Sequence, residues 1–346
     1  MPSKQTALWD RLRASRFENG IAKNNLTPEE VLSLLDAQAC FDHLHRPYPS
    51  TSRSIIEYFR EEGIVIQQDD GRLSISNMGA LLFAKHLDAF PRLKRKTVRI
   101  IRYEGDDRIG ASKEEEYDSG YAVDFDGLIR LVNAMTPSRE TIGKALREEH
   151  GNYPERAIRE TIANALIHQD FTITGAGPMI EIFNHRMEIT NPGTLMVDRM
   201  RIIDAPPRSR NEDTAALMRR MKICEERGTG WDKIAMSCEL MELPAPRIRG
   251  YDAGTRVTLY SERPFARISM DDREWACYMH ACLRYINEDE ESTYMTNSSL
   301  RRRFGLGQQS QPVISKLIKR TMESGLIKPL DPNTAPRYMK YIPGWA

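Results

Sequence analysis

The stretch RETIANALIHQD, residues 159–170, carries a glutamate, an asparagine and a histidine at four-residue spacing. On a helix, Glu160, Asn164 and His168 lie on one stripe. Nucleotide chemistry through Mg²⁺ needs hard oxygen ligands and a carboxylate that orients water, and a glutamate one turn from an asparagine offers both. The spacing predicts one wall of a nucleotide pocket, with a solvated polar face as the alternative.

A glycine-containing turn, ERGTGWDKI, follows farther along the chain. It places Gly228, Thr229 and Gly230 directly before a predicted helix over residues 231–240. Backbone N–H groups at a helix start bind phosphate, and glycines let the backbone approach a ligand closely. The turn alone is weak evidence, so its weight comes from occurring together with the RETIANALIHQD stripe.

A second turn, ITNPG at residues 189–193, ends a predicted strand. This position predicts that the amide of Asn191 faces the edge of a purine, and Gly193 completes the turn. The alternative is an ordinary turn built from the residues that turns favour.

An insertion, APPRSRNED, lies between the two turns and leads into a helical pattern, TAALMRRMKICEE. Its Arg208, Arg210 and Asn211 are placed to donate hydrogen bonds to nucleotide phosphates, because guanidinium groups bind phosphate in a bidentate manner. Ordinary surface charges are the alternative. We expect residues 200–227 to act as a lid.

The elements around these residues predict an α+β sandwich. A helix over residues 154–168 precedes two strands, MIEIFN and RMEITN, and TRVTLYSE supplies a closing strand near residue 264. The predicted buried face of the helix consists of Ile158, Ile162, Ala165 and Leu166. Upstream, KTVRIIRYEG predicts a strand, the acidic KEEEYDSG a polar loop, and residues 124–135 and 137–150 two helices.

The N-terminal part predicts two helices followed by a hairpin. Thr27 is a good N-cap for a helix over residues 28–43, SIIEYFREEGIV predicts a second helix, and a DDG turn leads into RLSIS. This order is typical of a winged-helix-like module.

The C-terminal part repeats that order, with three helical patterns before a pair of short extended pieces. Residues 292–346 carry nine Lys or Arg against two acidic residues, which suggests phosphate contacts. The predicted packing face of the third helix consists of Val313, Leu317, Ile318 and Met322. The predicted DNA-contacting side chains are Arg301, Arg302, Arg303, Lys316, Lys319 and Arg320. Dimerisation or packing is the alternative role of this module.

Composition excludes several other classes of protein. The net charge of +1 implies no polyanionic partner by itself, no run of about 18 apolar residues is present, and the N-terminus lacks the pattern of a secretory signal. The five cysteines form no C-x-x-C pair, which argues against a zinc site or a disulfide framework and for buried free thiols. We expect a cytoplasmic protein without membrane association.

Taken in this order, the motifs resemble the nucleotide-binding domain of the GHKL superfamily, which DNA gyrase, histidine kinases and MutL share. RETIANALIHQD is similar to the superfamily's N-box, which implies Glu160 as the water-orienting base and Asn164 as the ligand of Mg²⁺. NPG stands at the place of its Asp-x-Gly-x-Gly box, and GTG at that of its second glycine box. The resemblance implies ATP and Mg²⁺ as cofactors. The nucleotide-binding residues that follow are Asn164, His168, Asn191, Gly193, Arg210, Asn211, Gly228, Thr229 and Gly230.

More narrowly, these segments, together with ISNMGALLFAK upstream and the YIPGWA ending, are similar to a group of bacterial transcriptional regulators labelled RecG-helicase-related. In that group the ATPase-like module sits between DNA-binding modules. The resemblance implies an N-terminal winged-helix-like region (1–95), a GHKL-type α/β sandwich (96–264) and a C-terminal winged helix (270–346).

The chain departs from these groups in two ways, and no helicase motif accompanies the RecG-helicase label. Asn191 replaces the purine-reading aspartate of the superfamily, so it can accept from an amino group but brings no negative charge. A Schlafen AlbA-type domain is typical of the regulators, and the residues before 28 are too few for one. The phosphate loop G-x-x-x-x-G-K-[ST] is missing, so we expect no translocation along DNA.

These observations predict an ATP-binding, DNA-associated transcriptional regulator in which nucleotide occupancy controls DNA or partner binding. Ordering of the lid is expected to couple occupancy to a homodimeric or DNA-bound state. One alternative is an enzyme whose output is weak Mg-dependent ATP hydrolysis, with His168 as a wall residue rather than a phosphoacceptor. The other is a degenerate GHKL scaffold that serves protein contacts.

Overall fold

The computed structural model describes the chain over five ranges. These are residues 16–142, 147–206, 208–224, 230–286 and 294–346. Within them, eleven α-helices and thirteen strands form a mixed α/β structure. Two residues of the predicted glycine turn, Gly228 and Thr229, lie outside the described ranges.

The N-terminal part combines four helices with a three-stranded antiparallel sheet in the order β1-β3-β2. Its elements are β1 (Ile21–Leu26), α1 (Pro28–Leu34), α2 (Ala37–His43), α3 (Ser52–Glu61), β2 (Val65–Gln67), β3 (Leu73–Ser76) and α4 (Asn77–Phe83). The single helix predicted over residues 28–43 is wrong. Leu35 is extended, and Asp36 accepts from the backbone N–H of Ala39 as the N-cap of a separate helix.

Two further predictions fail between the N-terminal part and the RETIANALIHQD helix. After the confirmed strand β4 (Val98–Tyr103), the predicted polar loop is the strand β5 (Ser112–Tyr117), which pairs with β4. Because β5 is an edge strand, its charged side chains remain in solvent and show no apolar alternation. The helix predicted over residues 137–150 is the antiparallel pair β6 (Ser138–Ile142) and β7 (Arg147–Gly151). Such pairing joins two segments and is not visible in local helix propensity.

A six-stranded mixed sheet forms the middle of the chain, in the order β10-β11-β9-β8-β4-β5. Its remaining strands are β8 (Met179–Ile182), β9 (Arg186–Pro192), β10 (Arg247–Tyr251) and β11 (Gly254–Tyr260). β4 and β8 are parallel, and the other neighbours are antiparallel. Alternate residues divide between the two faces, so Ile100 and Ile180 join the main core while Ile101 and Phe183 form a small cluster apart from it.

Helices cover the core side of this sheet. They are α5 (Phe125–Met135), α6 (Glu155–Ile167), α7 (Glu212–Arg220) and α8 (Gly230–Leu240). The predicted buried face of α6 is confirmed, because Ile158, Ile162, Ala165 and Leu166 are all buried. α6 packs against β9 and α8 packs against α6, so the RETIANALIHQD helix contacts both the sheet and the helix that follows the glycine turn.

The C-terminal part has the predicted order of three helices and a hairpin. Its elements are α9 (Met270–Ile286), α10 (Asn297–Arg303), α11 (Gln311–Glu323), β12 (Ile327–Pro329) and β13 (Tyr341–Pro343). The predicted packing face of α11 is partly wrong. Val313 is 48% exposed and Met322 is only partly buried, and the buried residues are Ile314, Leu317, Ile318 and Thr321. The latter set follows the i, i+3, i+4, i+7 spacing of one helix face.

Within the described ranges, no helix is long and apolar enough to cross a membrane. All five cysteines are free, as predicted, and four of them are buried while Cys224 is partly buried. Burial raises the pKa of the Cys238 and Cys277 thiols to about 12, so these two are un-ionised core residues at neutral pH.

Candidate functional site

A cavity of about 990 Å³ lies between α6, the start of α8, strands β9 and β11, and residues from the ranges 194–206 and 208–219. Its walls mix apolar side chains with polar groups from α6, β9, β11, α7 and the segment before α7. A concave site of this size and character suits a small organic ligand.

Glu160 and Asn164 lie together on the α6 wall. Glu160 is 7% exposed, and the Nδ2 atom of Asn164 donates to its Oε1 atom at 3.4 Å. This bond uses the nitrogen of the Asn164 amide and leaves its oxygen as an acceptor. Carboxylate and amide oxygens therefore stand side by side on the cavity wall, as the sequence predicts.

Gly230 brings the start of α8 against this pair. A Cβ atom at Gly230 would lie 2.3 Å from Oε1 of Glu160 and 3.1 Å from Nδ2 of Asn164. A side chain there would force the Glu160 carboxylate to turn away or α8 to move from α6, so a glycine permits this arrangement without either change. The described end of the glycine turn thus adjoins the carboxylate and amide that the sequence separates by more than 60 residues.

His168 follows the last turn of α6 and lines the same cavity. Its backbone N–H donates to the carbonyl of Asn164 at 3.0 Å. Burial, and secondarily the charge of Arg210, lower the pKa of His168 to about 4. The imidazole is therefore neutral at pH 7, where it can offer one donor and one acceptor to a ligand.

Asn191 lies on the sheet side of the cavity, near the end of β9. It is 6% exposed, and its Nδ2 atom donates to the carbonyl of Pro192 at 3.2 Å, which leaves the amide oxygen as its acceptor. Thr255, its partner in register on β11, also lines the cavity and donates to the carbonyl of Gly193 at 2.8 Å. No local sequence pattern indicates Thr255, because only strand pairing places it opposite Asn191.

Gly193 shapes the turn after β9 and is not a lining residue of the cavity. Its φ is 113°, and a Cβ atom there would lie 2.9 Å from the backbone nitrogen of Asp170. That nitrogen donates to the carbonyl of Pro192 at 2.8 Å, so the turn fastens the end of β9 to the segment after α6. Gly193 thereby positions the wall behind Asn191.

Arg210 and Asn211 connect α6 with α7. Arg210 lines the cavity, but its guanidinium donates to the carbonyls of His168 (3.3 Å) and Thr194 (2.7 Å). Asn211 is 6% exposed, and its Nδ2 atom donates to the carbonyls of Ile167 (2.7 Å) and Gln169 (2.8 Å). The Asn211 amide nitrogen is thus fully used in holding α6 to α7, which differs from the predicted contact with phosphate.

Arg219 is a cavity residue that no sequence motif indicates. Glu212, Ala215 and Arg219 have the i, i+3, i+7 spacing of one stripe of α7, and all three line the cavity. Arg219 is half-buried, and within the described residues no hydrogen bond or ion pair occupies its guanidinium. Arg208, Arg210 and Arg219 outnumber the one acidic residue, Glu212, so the α7 side of the cavity has a net positive charge.

The donor set fits Mg²⁺ only together with a ligand that brings oxygens of its own. The described ranges contain no group of three or more His, Cys, Asp or Glu side chains that could hold a metal. Glu160 and Asn164 supply two hard oxygen donors, and Mg²⁺ is commonly held by one or two protein oxygens plus substrate phosphates. The arginines opposite suit those phosphates.

The six predicted DNA-contacting side chains do not form one exposed patch. Arg302, Lys316 and Lys319 are exposed, with Lys319 3.9 Å from Glu323. Arg301 donates to Asn297 at 3.0 Å. Arg302 on α10 and Lys316 on α11 therefore remain open to solvent.

Arg303 and Arg320 are engaged with the protein. Arg303 is 5% exposed and donates to the carbonyl of Leu243 at 2.6 Å, while Arg320 forms an ion pair with Glu274. The predicted role of Arg303 in binding DNA differs from its observed place in the core, because a guanidinium buried between α10 and the end of α8 cannot reach a phosphate.

The six-stranded sheet with helices on its core side, and a cavity between a Glu-Asn helix and a glycine-led helix, make this an α+β domain. Residues 175–259 match a family model of the HATPase type described as "Putative ATP-dependent DNA helicase recG C-terminal". This match supports a GHKL-like ATPase domain and covers β8 to β11, whereas Glu160 and Asn164 precede it.

The fold as a whole also has a counterpart among solved structures. The DIP2311 protein from Corynebacterium diphtheriae superposes with a TM-score of 0.56 at 14% sequence identity, over 100% of this chain and 68% of that chain. At this identity the likeness concerns the fold alone. No curated protein sequence matches the chain.

Proposed function

We propose that the cavity binds ATP together with Mg²⁺. The observation that carries this proposal is the contact of Gly230 with Glu160 and Asn164, which joins a glycine-led helix start to a pair of hard oxygen donors. Free N–H groups at such a helix start favour phosphate, and the carboxylate and amide oxygens favour the metal that accompanies it.

In this proposal one region of the cavity holds the adenine and another holds the phosphates with Mg²⁺. The acceptor oxygen of Asn191 takes a hydrogen bond from the amino group of adenine, beside apolar neighbours such as Ile189 and Val257. The oxygen of Asn164 would hold Mg²⁺, and the bound ion would supply positive charge that offsets the negative charge of the phosphates. Arg208 and the glycine turn hold the phosphates.

Calorimetric titration of the full chain with Mg-ATP tests this proposal. We expect binding by the wild-type protein and a large loss of affinity for Asn164→Ala. The control is Asn133→Ala, which removes an exposed asparagine from α5 and should leave binding unchanged. Equal binding by wild type and Asn164→Ala would show that the cavity does not use the predicted metal ligand.

A second candidate function is ATP hydrolysis, and the position of Glu160 favours it. Its carboxylate is largely buried yet lines the cavity, next to the amide of the proposed metal ligand. A carboxylate in this place can orient a water molecule and accept its proton. In that case turnover, and not only binding, depends on Glu160.

We further propose that the protein is a DNA-associated regulator whose C-terminal part contacts phosphates through Arg302, Lys316 and Lys319. Their exposure on α10 and α11 and the basic composition of residues 292–346 support this role. Nucleotide occupancy of the cavity would then control DNA binding or self-association through residues from the ranges 194–206 and 208–219.

A further inference from the structure

One wall of the cavity is a helix that the N-terminal part holds at both ends. α7 directs Ala215 and Arg219 toward the cavity, while Thr214, Leu217 and Met218 of the same helix are buried. The helix has nine residues, and so short a helix has little stability on its own in water. Its position therefore depends on what binds its ends and its buried face.

The N-terminal end of α7 is capped by Glu18, a residue almost 200 positions away in the sequence. The Glu18 carboxylate accepts from the backbone N–H groups of Asp213 (3.2 Å) and Thr214 (2.9 Å) and from the Thr214 hydroxyl (2.9 Å). Glu18 is 1% exposed. A carboxylate here satisfies backbone donors that a helix leaves unpaired and complements the positive end of its dipole.

The local N-cap residue does not perform this task. Asn211 occupies the N-cap position of α7 but makes no side-chain cap, because its amide donates to two carbonyls at the C-terminal end of α6. Glu18 therefore supplies from another part of the chain what Asn211 would otherwise supply. The two residues together connect the N-terminal part, α7 and the end of α6.

The C-terminal end of α7 is also held by the N-terminal part, through an ion pair between side chains. Arg220 donates through both Nη atoms to the two carboxylate oxygens of Glu62, at 2.5 and 2.7 Å. This hydrogen-bonded pair lowers the pKa of Glu62, so the bond is charge-assisted over a wide pH range. Arg219, which lines the cavity, directly precedes the residue that is held.

We propose that Glu18 is a positioning residue for the nucleotide cavity, acting through α7 on Arg219, and that Arg219 binds the phosphates of the ligand. This inference rests on the proposed binding of ATP. The N-terminal part thereby sets the affinity of the cavity: when Glu18 and Glu62 hold α7, the Arg219 guanidinium is presented to the phosphates, and when they release it, that contact is lost.

Titration of the full chain with Mg-ATP, combined with amide hydrogen exchange, tests the proposal. We expect Arg219→Ala and Glu18→Ala each to weaken ATP binding by roughly threefold to tenfold, the effect of losing one charged contact or one helix cap. Glu18→Gln, which keeps an acceptor oxygen but no charge, should fall between Glu18→Ala and the wild type. The matched control is Glu57→Gln, which neutralises an exposed glutamate of the same N-terminal part.

Amide hydrogen exchange distinguishes a positioning role of Glu18 from a general loss of stability. In Glu18→Ala the amides of Asp213 and Thr214 should exchange faster than in the wild type, and Mg-ATP should slow them again. A purely structural role would lower the melting temperature but leave the dissociation constant unchanged at temperatures well below it. If Glu18→Ala does not fold, Glu18→Gln and Glu62→Gln carry the same comparison.

The failures of the two proposals are distinct. If the wild-type protein binds no Mg-ATP, the proposed function fails, and the role of Glu18 fails with it. If the wild type binds Mg-ATP and all Glu18 and Glu62 variants bind it equally well, the positioning role alone is overturned.

Discussion

The carboxylate of Glu239 lies 2.6 Å from the Nδ1 atom of His280, and this contact joins the last turn of α8 to α9. Burial opposes the charge of Glu239, yet the hydrogen bond with His280 and the charges of His280 and Arg303 bring its pKa below the usual value. The Nε2 atom of His280 contacts the Ser299 hydroxyl at 3.0 Å. A helix that begins at the cavity with Gly230 thus ends in a polar network with the C-terminal part.

Removing the histidine of this network should destabilise the protein markedly. In His280→Ala the Glu239 side chain, 16% exposed, loses its closest partner, and breaking such a buried pair costs about 3 kcal/mol. Chemical denaturation with two optical probes measures the change. His86→Ala is the control, because His86 and Asp118 form a comparable pair that is exposed, and such pairs contribute under about 1 kcal/mol. Equal losses in the two variants would contradict a stabilising role of burial.

A methyl group at Gly230 should disrupt the cavity. In Gly230→Ala the new Cβ atom overlaps the Glu160 carboxylate, so α8 must shift or Glu160 must turn away, at a cost of about 1–3 kcal/mol. We expect a lower unfolding free energy and loss of Mg-ATP binding. Gly110→Ala is the matched control, because a Cβ atom there has no neighbour within 4 Å. Unchanged binding by Gly230→Ala would mean that the approach of α8 to α6 is not needed for the ligand.

Glu160→Gln separates binding from hydrolysis. The amide retains the size of the side chain but cannot accept a proton, so we expect Mg-ATP to bind while any turnover falls by about 100-fold or more. Phosphate release at saturating ATP measures the rate. Glu155→Gln, in the exposed first turn of the same helix, is the control. Turnover that survives Glu160→Gln would assign the water-orienting role to another group.

His168 should make stability depend on pH. Its folded pKa of about 4 lies below the ordinary value of about 6.5, so between these values the unfolded chain binds more protons than the folded one. Stability therefore falls as the pH decreases through this interval, by up to about 1.4 kcal/mol per pH unit, and the effect is absent above about pH 6.5. Denaturation at pH 7 and pH 5 should show a smaller difference for His168→Gln than for the wild type.

Charge reversal on α11 tests contact with DNA. Lys316→Glu/Lys319→Glu should weaken binding to a DNA duplex and reduce the slope of log affinity against log salt by about 2, if each lysine contacts one phosphate. Arg92→Glu/Lys94→Glu makes the same change of net charge at exposed positions far along the chain and serves as the control. Equal losses in both variants would indicate attraction to net charge without a defined surface.

Local patterns were sufficient for most elements and for the character of the cavity wall. The apolar periodicity of α6 determines both its buried face and the stripe of Glu160 and Asn164, because a helix has one geometry whatever surrounds it. The alternation of β8 and β9 and the glycines before α8 were equally visible. Those features depend on residues that are only a few positions apart in the sequence.

The failures share a physical cause, which is pairing between distant segments. β5 is polar and becomes a strand only because β4 lies beside it, and β6 pairs with β7 where the local sequence indicated a helix. Arg303 carries a charge that indicates exposure, yet α10 packs it against the end of α8. Propensity measures the preference of one segment and contains no information on its neighbours.

By itself, the sequence determined the helix that presents Glu160 and Asn164, the two turns and the basic composition of the C-terminal part. Only the tertiary structure decided that Gly230 lies against that pair, that the Asn211 amide donates to backbone carbonyls, and that Glu18 caps α7. Spacing along one helix follows from local backbone geometry. Contacts between residues up to about 200 positions apart follow from how the modules pack, which no local pattern encodes.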